Sequence, residues 1–244
     1  MQLTDFPKII LANSKASDGN MSFVKGDPEQ ALENRQNFLN LLGINLDSIV
    51  SMYAQHGVEV IKVGKDDLGK GAHDSESAFK VDGLVTNEPG VNMFLMTADC
   101  LPVVFYDPQR KALGLIHAGW KGLHLGILES AIKSFKQHFE SNPQKLLVHI
   151  APSIGPCCYI KQNTKEVEAN PKWHPYLKKA DDGISIDLWN FAQDQLVSLG
   201  IKQENIENSK ICTYHSNQYF SNRKFNVENL SQDFRFATVL GLKP

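Results

Sequence analysis

The stretch Thr97–Leu123, TADCLPVVFYDPQRKALGLIHAGWKGL, holds two apolar runs of strand length, LPVVFYD and ALGLIHA, joined by the turn PQRK. Their spacing predicts an antiparallel hairpin, Leu101–Asp107 against Ala112–Ala118, with Asp107 facing Ala112. In that register Cys100 and His117 are offset by two residues. Diagonal neighbours of this kind lie about 7–8 Å apart at the backbone, near enough for both side chains to reach one ion. Thiolate with imidazole suits Zn²⁺ or copper better than Mg²⁺ or Ca²⁺. A metal needs a third ligand, and His56 sits in the break between two strand-like runs of SIVSMYAQHGVEVIKV, where a side chain can project into a cleft. A Cys beside an apolar strand is more often plain core, as is a His. The flanks argue for function: Asp99 is a carboxylate inside an apolar run, and Gly119 and Gly122 open the next helix, where backbone N–H groups can approach a ligand.

Outward from the hairpin, the other elements follow from local signals. GDPEQALENRQNFLNLLGI is a helix with Asp27 as N-cap, Pro28 at its first position and Gly43 as its stop. VNMFLMTA and KLLVHIAP read as strands. GLHLGILESAIKSFKQHFES reads as one helix, with Leu123, Ile127, Ala131, Phe135 and Phe139 on its apolar side. DLWNFAQDQLVSLG is a helix capped by Asp187 and stopped by Gly200, while NPKWHPYLKKADDG reads as loop. Strands and helices mix without strict alternation, which predicts an α+β fold with a mixed sheet in a single domain, residues 1–244.

Composition narrows the function classes. With 42% hydrophobic and 21% charged residues the chain has the make-up of a soluble globular protein. A net charge of -2 argues against nucleic acid or anionic membrane as partners. The amino-terminal stretch MQLTDFPKIILANSKAS lacks the pattern of a signal peptide, and no apolar run approaches the roughly 18 residues of a membrane span. Four cysteines without CxxC spacing make no disulfide framework, so a reducing cytoplasmic setting is expected.

TADCLPVV, IHAGWKG, IGPCCY and CTYHSNQYFSNRK, with ENRQ and AQHG upstream, resemble the signature blocks of the laccase-domain family. The family is also called multicopper polyphenol oxidase or peptidoglycan editing factor, and is now mostly described as purine nucleoside phosphorylases. The resemblance implies a mononuclear site, usually zinc, held by His56, Cys100 and His117. It implies phosphorolysis of adenosine, inosine, guanosine and S-methyl-5'-thioadenosine, with adenosine deaminase activity. The implied architecture is a single domain of large mixed β-sheets flanked by helices, the cytotoxic-necrotizing-factor-like cysteine-hydrolase type of fold, as a monomer or small homo-oligomer. The chain departs from the family pattern at Ile160, at His215 and in SNRK.

Three protein ligands leave a fourth position open, the arrangement of catalytic zinc, and water held at such a position has its pKa lowered towards about 7. Phosphate needs donors. Arg35 shares a helical stripe with Leu32, Leu39 and Leu42 and is expected to bind the anion, with Arg223 as a second clamp. Asp99 is expected to serve the catalytic site by orienting a ligand histidine. Trp120, Cys158 and Cys212 read as packing residues. The main alternative is a metal-free hydrolase or amidase acting on cell-wall precursors, with Cys100 as nucleophile and His117 as base. Copper-dependent polyphenol oxidation fits poorly, because eight histidines with no His-x-His pair do not supply a trinuclear cluster. A non-catalytic metal or nucleoside sensor is a further alternative.

Overall fold

The hairpin forms in the expected register, from Leu101 opposite Ala118 to Asp107 opposite Ala112. The computed structural model describes residues 5–243; residues 1–4, where the amino-terminal stretch begins, and residue 244 lie outside it. In chain order the strands are β1 (Ile9–Asn13), β2 (Ile49–Met52), β3 (Val60–Lys62), β4 (Gly83–Thr86), β5 (Asn92–Thr97), β6 (Leu101–Asp107), β7 (Ala112–Ala118), β8 (Leu147–Ile150), β9 (Ile160–Lys161), β10 (Leu177–Ala180), β11 (Gly183–Ile186), β12 (Ile206–Asn208) and β13 (Phe236–Leu242). The helices are α1 (Pro28–Leu41), α2 (Trp120–Leu125), α3 (Ile127–Phe139), α4 (Lys165–Glu168), α5 (Leu188–Ser198) and α6 (Asn222–Val227).

Period-two alternation along the hairpin divides the core. Leu101, Val103 and Phe105 of β6 join Ile116 of β7 in packing against Leu128, Phe135 and Leu196 of the helices. Val104, Tyr106, Leu113 and Leu115 point the other way, into a second core shared with Met93, Leu95 and Leu240. Those partners belong to a four-stranded sheet in the order β1-β13-β5-β2, which faces the hairpin's six-stranded sheet, β12-β8-β6-β7-β4-β3. A third core, with Phe38 and Leu39 against Phe94 and Val239, seats α1 on the far side of the smaller sheet. The result is a single mixed α+β domain in which two sheets are sandwiched between helices, as expected. Both sheets mix parallel and antiparallel pairs, β2 running parallel to β5 and β3 to β4.

This layering positions the site. The strand-like runs flanking His56 become β2 and β3, which lie in different sheets, so His56 sits on the crossing between them. His117 lies on the face of β7 that carries Leu113 and Leu115, at the end where the chain leaves the sheet. No helix among the described residues is long and apolar enough to cross a membrane.

Two readings are corrected. The helix read through residues 122–141 is two helices, α2 and α3, broken at Gly126, whose φ of 97° ends one and starts the other. Side-chain periodicity continues across the break, which is why pattern alone joined them. NPKWHPYLKKADDG is not loop: a 3₁₀ turn leads into the hairpin β10–β11, and buried Trp173 stacks on Phe191 with ring centroids 3.5 Å apart. Gly126→Ala is expected to destabilise the fold by about 1–2 kcal/mol, the cost of a Cβ in left-handed backbone, read as a lower urea midpoint with an unchanged slope.

Candidate metal centre

Cys100 precedes β6, and Gly119 follows β7 directly across the hairpin from it. The ligand atoms of His56, Cys100 and His117 lie within 4.8 Å of one another, and the two imidazole rings meet edge to face with centroids 4.8 Å apart. Glycine at residue 119 keeps any side chain out of the space between them. A Cβ there would lie 3.0 Å from the Cys100 sulfur and 3.3 Å from His56 Cδ2. His117 is buried, Cys100 half-buried and His56 exposed, so the trio opens outward along the His56 side.

Asp82, a residue not anticipated from sequence, holds this arrangement. Its carboxylate receives His117 Nδ1 at 2.8 Å, His56 N at 2.8 Å, Gly57 N at 2.7 Å and Gln55 N at 3.2 Å. Its own carbonyl accepts from His117 N at 2.8 Å. Fixing Nδ1 leaves Nε2 of His117 for the site, the usual orientation of a ligating histidine. Burial opposes the charge on Asp82, but its bonds to His117 and to the Gly57 and His56 amides hold its pKa below the ordinary value. In the same way burial raises the Cys100 thiol, while charge and hydrogen bonding from His117 and His56 overcome it and bring the pKa down to about 6. Burial lowers His117, but the Cys100 charge and the Asp82 bond push it up to about 9. Cys100 and His117 thus each favour the charged form of the other. One soft sulfur and two imidazoles, converging on a space held open by Gly119, fit zinc or copper.

The trio borders two hollows. An inner cavity of about 340 Å³ is lined by His56, Cys100, His117 and Met96, and an outer cleft of about 1130 Å³ shares His56 with it. Lys121, Lys161 and Arg223 line the outer cleft with Trp120, as do the carboxylates of Glu166 and Asp182. Lys161 Nζ sits 4.6 Å from the Trp120 ring centroid. Burial lowers the Lys161 pKa, with the Lys121 and Arg223 charges adding to the effect against Cys100 and Glu166. Trp120 therefore walls the cleft, and Arg223 is one of its three lining cations.

Asp99 and Arg35 are placed differently. The histidine partner is Asp82; Asp99 instead accepts from Thr213 Oγ1 at 2.7 Å and from Arg223 N at 2.6 Å. It is a positioning residue, tying the backbone beside Cys100 to the start of α6, and it adopts a φ of 91° to do so. Arg35 does not reach the site. It is fully buried, donating Nε to Met21 O at 2.7 Å and Nη1 to Gly71 O at 2.7 Å, with Nη2 2.9 Å from the Met96 sulfur. Phe23 and Phe94 flank the guanidinium at 3.9 and 4.8 Å, and burial brings its pKa down to about 9. With Nε and Nη1 donating to backbone carbonyls inside the core, it is not among the residues that line the cleft.

A half-buried Cys beside a buried His, with a second histidine at a sheet crossing, defines a class: a mixed-sheet sandwich whose two imidazoles and one thiol could hold a metal ion. Residues 11–242 match the family model described as multi-copper polyphenol oxidoreductase laccase, and the chain belongs to that family. The motif resemblance is thereby borne out. The purine nucleoside phosphorylase YlmD of Geobacillus stearothermophilus is 32% identical over 213 residues, 84% of this chain and 78% of that protein. The human purine nucleoside phosphorylase LACC1 is 29% identical over 223 residues, 88% of this chain but 48% of the human protein. Among solved structures, a Bacillus licheniformis hypothetical protein YfiH superposes with a TM-score of 0.90 at 27% identity, over 99% of this chain and 96% of that one.

Two outcomes follow. In metal-free protein the alkylation rate of Cys100, read on its own peptide by mass spectrometry, rises with a midpoint near pH 6. His117→Gln shifts that midpoint to about 8.5 or above, because burial is then less opposed; an unchanged midpoint would show that His117 does not hold the thiolate. Arg35→Met lowers stability by about 2–4 kcal/mol in urea, since buried carbonyls lose their donors, and leaves the phosphate dependence of any activity unchanged.

Proposed function

We propose that the chain is a zinc-dependent purine nucleoside phosphorylase with adenosine deaminase activity. It would act on adenosine, inosine, guanosine and S-methyl-5'-thioadenosine. The observation that carries this is the meeting of the His56–Cys100–His117 trio with a cleft lined by Lys121, Lys161, Arg223 and Trp120. The phosphorylase name borne by the bacterial and human relatives supports the same reading.

In phosphorolysis a phosphate oxygen bonds to C1' of the sugar as the C1'–N9 bond breaks. The base leaves with the bonding electrons and takes up a proton. Both the phosphate and the transition state for its attack carry negative charge, which Arg223 and Lys161 of the cleft would receive, the planar guanidinium in bidentate fashion. Trp120 offers an aromatic face for a purine. His56, Cys100 and His117 would hold the zinc, which when bound supplies Lewis-acid polarisation of substrate or water. Asp82 keeps His117 in the ligating tautomer and His56 at its station. Deamination replaces the C6 amino group of adenosine by a water oxygen and releases ammonia. Four free cysteines suit a reducing, cytoplasmic setting.

The pairing of Cys100 with His117 favours one second reading, a metal-free cysteine hydrolase or amidase. Product analysis by mass spectrometry decides between them. Protein incubated with adenosine and phosphate is expected to yield adenine and ribose 1-phosphate, with inosine appearing whether or not phosphate is present, and Cys100→Ala is expected to lose both. Intact adenosine under every condition would overturn the nucleoside reading. Amide hydrolysis that survives a chelator but not a thiol alkylator would then support the hydrolase.

A further inference from the structure

Three of the four cysteines take no part in the site above, yet folding brings them together. Cys157 and Cys158 lie in the turn that follows β8, and Cys212 lies beside Ser153 in an isolated parallel bridge. The Cys157 sulfur is 3.8 Å from that of Cys212 and 3.5 Å from that of Cys158. His215 Nδ1 lies 3.7 Å from each of the Cys157 and Cys158 sulfurs, and its Nε2 lies 3.5 Å from that of Cys158. All four ligand atoms lie within 4.8 Å of one another.

These separations can be compared with a coordination polyhedron. Zinc bonds of about 2.3 Å to sulfur and 2.0–2.1 Å to nitrogen give tetrahedral edges of about 3.8 Å between sulfurs and about 3.6 Å between sulfur and nitrogen. Four of the six separations, from 3.5 to 3.8 Å, are edges of that size, and the other two are no longer than 4.8 Å. A disulfide would instead need sulfurs about 2.0 Å apart, and it would leave one thiol and the imidazole beside it without a task. The Gly155 amide donates to the Cys212 sulfur at 3.3 Å, the outer hydrogen bonding that orients a thiolate ligand.

We propose that Cys157, Cys158, Cys212 and His215 bind a second zinc ion, in a closed site of four protein ligands. Such a site is structural, since no position is left for substrate. Its place in the fold gives it a purpose. The 153–159 segment runs into β9, whose Lys161 lines the outer cleft. The 211–215 segment includes Thr213, which holds Asp99, and continues to Arg223. The second ion would clamp together the two segments that carry the cleft's cations. The proposal does not depend on the reaction at the first site.

Cobalt is the probe. The full-length Cys100→Ser chain, stripped with a chelator and kept reduced without oxygen, is titrated with Co²⁺. The proposal expects one cobalt per chain, tetrahedral d–d bands, and sulfur-to-cobalt charge transfer about three times as intense as a one-thiolate centre gives. Zinc is expected to displace it. Native mass spectrometry of the zinc-loaded wild-type chain is expected to show two zinc ions, falling to one in Cys212→Ser and to one in Cys100→Ser. A folded Cys100→Ser chain that takes up no cobalt would overturn the proposal. So would one-thiolate band intensity, or a wild-type chain whose single zinc is lost with Cys100.

Discussion

Asp82 is a carboxylate with 1% of its surface exposed, and it survives there only because every neighbour donates to it. Three successive amides, Gln55 to Gly57, and the His117 imidazole meet its two oxygens. Hydrogen bonds to a charged group contribute about 1.5–3 kcal/mol each, which is enough to offset the left-handed backbone of His56, a strain of about 1–3 kcal/mol. The residue stands just before β4 in the larger sheet, while the amides belong to the crossing that arrives from β2 in the smaller one. A single side chain therefore stitches the two sheets together where they part and, in the same act, aims two imidazoles at one thiolate.

The layers explain why the site lies where it does. Alternation along β6 and β7 packs one face against helices and the other against the second sheet, leaving no room within the sandwich for a polar centre. At the strand ends the pattern stops: Cys100 precedes β6, Gly119 follows β7, and the absent Cβ leaves the space the trio encloses. Asp99 and Asp82 divide the work on either side of it. Asp82 orients the ligands, whereas Asp99 anchors the start of α6 and with it Arg223. The trio and the cationic wall of the cleft are thus fixed separately, one by Asp82 before β4 and the other by Asp99 before β6.

The hairpin register and the Cys100–His117 offset were legible because a two-residue periodicity and one turn determine them locally. The break at His56 was legible for the same reason, and so was the α+β class. Asp82 was not, although VDGLV shows the same sign as TADCL, a lone carboxylate in an apolar run; nothing local says which imidazole such a residue will meet. Arg35 shows the opposite failure. Its helical stripe correctly placed it on the inward face of α1, but its partners are carbonyls of residues 21 and 71, which only the tertiary fold brings to it. Cys157, Cys158 and Cys212 escaped for the same reason, since their convergence with His215 has no signature in spacing.

The central claim is that His56, Cys100 and His117 act together as one metal centre. Anomalous diffraction from crystals of the zinc-loaded protein, recorded on both sides of the zinc edge, tests it most directly. The account predicts a peak among His56 nitrogen, Cys100 sulfur and His117 Nε2, with Asp82 still bonded to Nδ1. A zinc-loaded crystal with no anomalous density at that point, and the Cys100–His117 pair intact, would contradict it and leave the thiolate to act alone.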